Sequence, residues 1–142
     1  MSKTKIAIQG ELGAYSHIAA ENLYPGAEIS TCLTFEETFK QAYNDTSFKI
    51  VIPIETSLAG RVADIHYLLP KYKLQIHGEY FQTVEHNLLC KPEASIDDIK
   101  FIRSHAQAIG QCQNLINEKK FKSIISADTA GSAKDLAEGK DK

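Results

Sequence analysis

The sequence predicts an α/β fold of two lobes with mostly parallel sheets, and three observations carry that prediction. Short apolar runs rich in β-branched residues alternate with stretches whose apolar residues recur at helical spacing. Gly, Ser, Thr and Asp gather at the end of nearly every apolar run, where a strand would turn into a helix. The alternation breaks after Pro70 and resumes at Phe101, which suggests a first lobe over residues 1–72 and a second over 73–142.

In order, Ile6-Ala7-Ile8 predicts a first strand, Gln9 to Gly13 a turn, and Ala14-Tyr15-Ser16 the entry to a helix that Pro25-Gly26 stops after Leu23. Glu28 to Leu33 predicts a second strand. Thr34-Phe35-Glu36-Glu37 is a capping box, opening a helix with Phe35, Phe39, Ala42 and Tyr43 on one apolar face. The organising stretch is Ile50 to Ile54, too short and too β-branched for a helix and so a buried strand. Glu55-Thr56-Ser57-Leu58-Ala59-Gly60 follows as a turn, and Val62, Ile65, Leu68 and Leu69 then repeat at helical spacing. This βαβαβ order predicts parallel pairing.

Leu74 to Leu89 alternates and is rich in aromatics, which predicts two extended segments carrying the chain from one lobe to the next. Phe101-Ile102 predicts a strand. Ser104-His105-Ala106-Gln107 has capping-box spacing and opens a helix with Ile109, Cys112, Leu115 and Ile116 inward. Ser123-Ile124-Ile125 predicts the next strand, with Asp128-Thr129-Ala130 starting a helix to about Ala137.

Bulk composition excludes several functions. An apolar share of 43% over 142 residues supports a real core, and a net charge of −2 gives no reason to expect nucleic acid or an anionic membrane as partner. Of 16 cationic residues only Arg61 and Arg103 are arginines, both beside strand ends, where a guanidinium fork could grip a carboxylate. Cys32, Cys90 and Cys112 are odd in number and form no CxxC, which suits reduced thiols in the cytoplasm. The N-terminus leaves no room for a signal h-region and no run reaches membrane-spanning length, so the reading is a soluble, cytoplasmic protein. The five histidines show no metal-binding spacing, and no Walker, nucleophile-elbow or dinucleotide motif occurs, so neither metal nor cofactor is expected.

Four junctions share one design: Gly13-Ala14-Tyr15-Ser16, Glu55 to Gly60, Ser104-His105-Ala106-Gln107 and Asp128-Thr129-Ala130. Helix capping accounts for any one of them alone. Parallel strands in one sheet aim their carboxyl ends the same way, so together the hydroxyls and free N–H groups would suit a small polyanion. Glu55 has two readings: a desolvated acid able to donate a proton, or an ionised partner of Arg61 or Lys49. His105, at a strand end, is the histidine placed to act.

Taken together, these residues resemble prephenate dehydratase. The blocks run in order: Ile8-Gln9-Gly10 with Gly13-Ala14-Tyr15-Ser16; Thr34-Phe35-Glu36; Ile52-Pro53-Ile54-Glu55-Thr56-Ser57-Leu58-Ala59-Gly60; Gly78-Glu79; His86-Asn87-Leu88-Leu89; Ser104-His105-Ala106-Gln107-Ala108 with Gln111-Cys112; and Thr129-Ala130. The resemblance implies a fold like type II periplasmic binding proteins, with the site between lobes. It also implies cofactor-free loss of carbon dioxide and the ring hydroxyl from prephenate to give phenylpyruvate, for phenylalanine synthesis. Ser104 and Gln111 would contact substrate, and Glu55, Thr56 and Ser57 would form the first-lobe block. Ala14, Tyr15, Ser16, Leu58, Ala59, Gly60, His105, Gln107, Thr129 and Ala130 are the accompanying substrate-binding candidates.

The chain departs from the family pattern in places. Thr56 stands where the family usually has asparagine, and Ala106 where it has proline. Neither the family's downstream Thr-Arg-Phe tripeptide nor its phenylalanine-sensing ACT domain occurs among the 142 residues. The second lobe therefore reads as C-terminally incomplete, with impaired turnover as one expectation and a homodimer formed by strand or lobe exchange as another. The alternative from a different class is a non-catalytic binding module for a small aromatic carboxylate.

Overall fold

In the computed structural model, which describes residues 3–58 and 60–140, the first apolar run forms strand β1 (Lys5–Gln9) with Ile6, Ala7 and Ile8 wholly buried. Helix α1 (Tyr15–Leu23), strand β2 (Glu28–Cys32), helix α2 (Phe35–Asn44) and strand β3 (Phe48–Val51) follow. The three strands make a sheet of order β2-β1-β3, parallel throughout, with Ile8 opposite both Thr31 and Val51. Putting β1 in the middle explains its burial, because a central parallel strand is covered on both faces. Removing Ile6 and Ile8 from water contributes about 1.5–3 kcal/mol each.

Two compact units emerge, Met1–Thr83 and Val84–Lys142. The first has two apolar clusters. Ile6, Ile8 and Ala20 join β1 to α1, while Phe39, Ile65, Leu68 and Tyr72 join α2 to helix α3 (Ala63–Tyr72). Thr34 caps α2 as expected: its hydroxyl accepts from the Glu37 N–H at 3.1 Å, and Glu37 in turn accepts from the Leu33 N–H at 2.9 Å. Tyr43 of the predicted apolar face stays 59% exposed and meets Tyr72 edge-on at 5.6 Å.

The organising stretch differs from its prediction. β3 ends at Val51 rather than Ile54, because Pro53 has no N–H to continue the ladder. The following block does not open a helix. Strand β4 (Glu55–Thr56) pairs antiparallel with strand β5 (Gly60–Arg61), a two-stranded hairpin, and only after Val62 does α3 begin. Gly60 permits this turn, since its φ of +74° is left-handed backbone that a side chain resists.

Leu74 to Leu89 forms no strand. A hydrogen bond from Asn22 Nδ2 to the Tyr80 hydroxyl (3.0 Å) fastens part of this stretch to α1. In the second unit, strand β6 (Phe101–Ser104) pairs in parallel with strand β7 (Lys122–Ile125). The helix expected between them is two: α4 (Ala106–Gln111) and α5 (Gln113–Lys119), separated at Cys112. Ile109, Ile116 and Phe121 form the core, whereas Leu115, expected inward, is 41% exposed. Helix α6 (Thr129–Ala137) ends the unit, and Arg103 of β6 holds it with an ion pair to Asp135 at 2.8 Å. The guanidinium that could have gripped a ligand carboxylate thus binds one on the protein's own helix.

Candidate functional site

β6 and β7 run in parallel, and Ser104 lies opposite Ile125 at their carboxyl ends. The ladder extends by one bond, from the Ser126 N–H to the Ser104 carbonyl at 2.9 Å. Beyond this point each strand turns into a helix, so α4 and α6 start from adjacent strand ends. The two starts are satisfied differently. At α6 the Asp128 carboxylate accepts from the Gly131 N–H at 2.8 Å, and the hydroxyls of Ser126 and Ser132 lie against the Asp128 carbonyl.

At α4 the cap is His105, not Ser104 as the spacing predicted. The imidazole Nδ1 accepts from the Gln107 N–H at 3.3 Å. Ser104 is thereby released from capping, and its Oγ sits 2.9 Å from Thr129 Oγ1. Each hydroxyl has one proton, so one of the pair donates to the other. The receiving hydroxyl keeps its own proton for a third group. Ser104 is half-buried and Thr129 exposed, with Ala130 half-buried beside it. Gln107 and Gln111 are exposed on α4. Gln111 Oε1 lies 2.6 Å from the His86 ring Nε2. His86 was missed as a functional candidate because it follows no strand and belongs to no metal spacing.

In the first unit, β1 and β3 are parallel neighbours, so the turns after Gln9 and after Val51 leave the same edge of the sheet. The α1 start carries no side-chain cap; its N-cap is Ala14, and Ser16 lies half-buried in the first turn. The Gly13 N–H donates instead to His17 Nδ1 at 3.1 Å. Glu55 is exposed in β4, opposite Arg61 across the hairpin, so the burial that would have made it a desolvated acid is absent. Lys49, its other expected partner, lies 4.5 Å from the Tyr24 ring centroid. Thr56 is half-buried, Ser57 and Leu58 are exposed at the hairpin tip, and Ala59 lies outside the described residues.

Among the described residues no cluster of three or more His, Cys, Asp or Glu side chains could hold a metal ion. Burial pushes the Cys32 thiol up, which keeps it protonated and unreactive. No helix among the described residues is long and apolar enough to cross a membrane.

These features define a class: an α/β protein of parallel strands whose carboxyl ends gather hydroxyls, amides and helix starts. The chain belongs to the prephenate dehydratase family, whose model matches residues 6–142. It is 40% identical over 133 residues to a bifunctional N-acyl-homoserine lactone acylase/prephenate dehydratase of Komagataeibacter europaeus, covering 94% of this chain and 47% of that one. It is 37% identical to an arogenate dehydratase/prephenate dehydratase of Arabidopsis thaliana, a chloroplastic protein, covering 96% of this chain and 36% of the relative. The solved prephenate dehydratase of Staphylococcus aureus superposes with a TM-score of 0.76 at 25% identity, over 93% of this chain and 51% of that one. The chain thus spans about half the length, or less, of the relatives it matches. The likeness extends to fold: a mostly parallel α/β architecture of the periplasmic-binding-protein kind.

Proposed function

We propose that the chain serves the elimination carried out by its family, conversion of prephenate to phenylpyruvate with loss of carbon dioxide and water. The observation that carries this reading is the hydroxyl pair of Ser104, at the end of β6, and Thr129, at the start of α6, with Gln111 on α4. As the ring carboxylate leaves, its bonding electrons aromatise the ring and expel the hydroxyl at the opposite carbon, which departs as water once protonated. Hydrogen-bond donors aimed at that oxygen lower the barrier by stabilising the charge that develops on it. The surplus proton of the hydroxyl pair and the Gln111 amide are such donors. Glu55, Thr56 and Ser57, with Ala14, Tyr15, Ser16, Leu58, Ala59, Gly60, His105, Gln107 and Ala130, stay in the proposal on the family resemblance. So do a reducing, cytoplasmic setting and a homodimer.

Incubating the purified chain with prephenate and following phenylpyruvate absorbance tests the reading. Because Ser104 does not cap α4, Ser104→Ala should lower kcat/KM about 100-fold, as loss of an aimed donor does, while melting shifts little. Full activity in both Ser104→Ala and Gln111→Ala would sink it. Binding of prephenate or phenylpyruvate without turnover, seen as a thermal shift, would favour the non-catalytic module instead.

A second reading rests on the Komagataeibacter relative, whose name joins the dehydratase to an N-acyl-homoserine lactone acylase. It expects release of free homoserine lactone from an N-acyl-homoserine lactone, and an unchanged substrate after prolonged incubation rules it out.

A further inference from the structure

The approach of His86 Nε2 to Gln111 Oε1, at 2.6 Å, has a consequence for what the glutamine can offer. A primary amide presents an acceptor on one side and a two-proton donor on the other, and only its partner fixes which side faces outward. With the proton on Nε2, the imidazole donates to Gln111 Oε1, and the NH₂ group is turned away with its donors free. With the proton on Nδ1, the bare Nε2 can only accept. The amide would then flip to donate to it, leaving a carbonyl oxygen facing outward. That oxygen would repel a carboxylate or a departing hydroxide.

We infer that His86 is a positioning residue that sets Gln111 as an outward donor, by holding its ring proton on Nε2. The inference rests on the proposed role of Gln111 toward the substrate. Two features of the placement support it. Gln111 is the last residue of α4, just before the break at Cys112, and its side chain is exposed, so no burial holds its amide in one orientation. His86 comes from the strand-free stretch before β6, and its ring is the hydrogen-bond partner found for the glutamine side chain. A helix-terminal glutamine on an exposed surface would otherwise sample both orientations.

Two measurements test this. Long-range proton–nitrogen NMR of the histidine rings at neutral pH should find His86 in the Nε2–H tautomer, and Gln111→Ala should weaken that preference. Kinetics then give the functional consequence. His86→Leu should lower kcat/KM about tenfold, the loss expected when one hydrogen bond goes. It should cause no further loss in a Gln111→Ala background, because its effect passes through that amide. His86→Gln, which can still donate, should recover part of the activity. An Nδ1–H tautomer, or losses that multiply in the double variant, would overturn the inference. If the wild-type chain turns over no prephenate, the proposed function falls and the tautomer still decides the inference.

Discussion

At the ends of β6 and β7 two adjacent helix starts are capped by different groups, and the difference decides which hydroxyl is free for chemistry. The α6 cap is a carboxylate in a tight seat. A Cβ on Gly131 would lie 2.6 Å from Asp128 Oδ2, so an alanine there must displace the carboxylate it should be hydrogen-bonding. Asp128→Ala alone should cost about 1 kcal/mol, the usual worth of an N-cap. Gly131→Ala carries the opposite tendency, a gain of about 0.5–1 kcal/mol for alanine over glycine in a helix. We therefore expect Gly131→Ala to be neutral or destabilising in the native chain and stabilising in the Asp128→Ala background. Chemical denaturation of the native chain and the three variants measures it, and equal gains in both backgrounds would refute the seat. The capping expectation for Ser104 fails: serine ranks high at N-caps and histidine does not, yet His105 is the cap here. The preference holds for single positions and is blind to a hydroxyl with a better partner across the sheet.

Between elements, the α2–α3 clasp shows how a pattern legible in the chain acquires an electrostatic part that is not. The apolar faces of both helices could be read from their spacing, and Phe39, Ile65 and Leu68 are buried there. The residue that joins their outer edges is Glu36, whose carboxylate accepts from Lys71 Nζ at 2.7 Å and from the Tyr72 hydroxyl at 2.9 Å. These donors lower its pKa from 4.5 to about 2. A carboxyl whose folded pKa is depressed adds stability above its unfolded pKa, and that contribution drains away as pH falls through the folded value. The stability gap between native chain and Glu36→Gln should thus be largest above pH 4.5 and close on the way to about 2. A gap independent of pH in thermal melts would show that the clasp is packing alone. Helix ends give a second prediction. Lys73 and Lys120 close α3 and α5 at φ of 52° and 57°. Glycine takes this left-handed backbone freely, so Lys120→Gly should add about 1 kcal/mol. The β4–β5 hairpin was illegible for a different reason: strands of two residues each have no periodicity to read.

For the whole molecule, the two units differ in how well their strands are covered. β1 is flanked on both sides and buried through Ile6, Ala7 and Ile8. β7 is exposed along its length, with Ile124 at 44% and Ile125 at 61%, and β6 opens Phe101 to water at 55%. The parallel, helix-separated character of both sheets was readable from alternating apolar runs. Their unequal burial was not, because burial depends on what packs against a run and not on the run itself. Local stability follows buried apolar contact, so the units should open at different free energies. Amide hydrogen exchange should find β1 and β3 protected longest and β6 and β7 exchanging well before them. Phe39→Ala removes a fully buried ring and should cost about 3–5 kcal/mol, with the loss of protection centred on β1, α2 and α3. If β6 and β7 instead exchange together with β1 at one common rate, the two cores unfold as a single cooperative body. The β6 end that carries Ser104 and the α6 start that carries Thr129 would then be as rigid as the first-unit sheet.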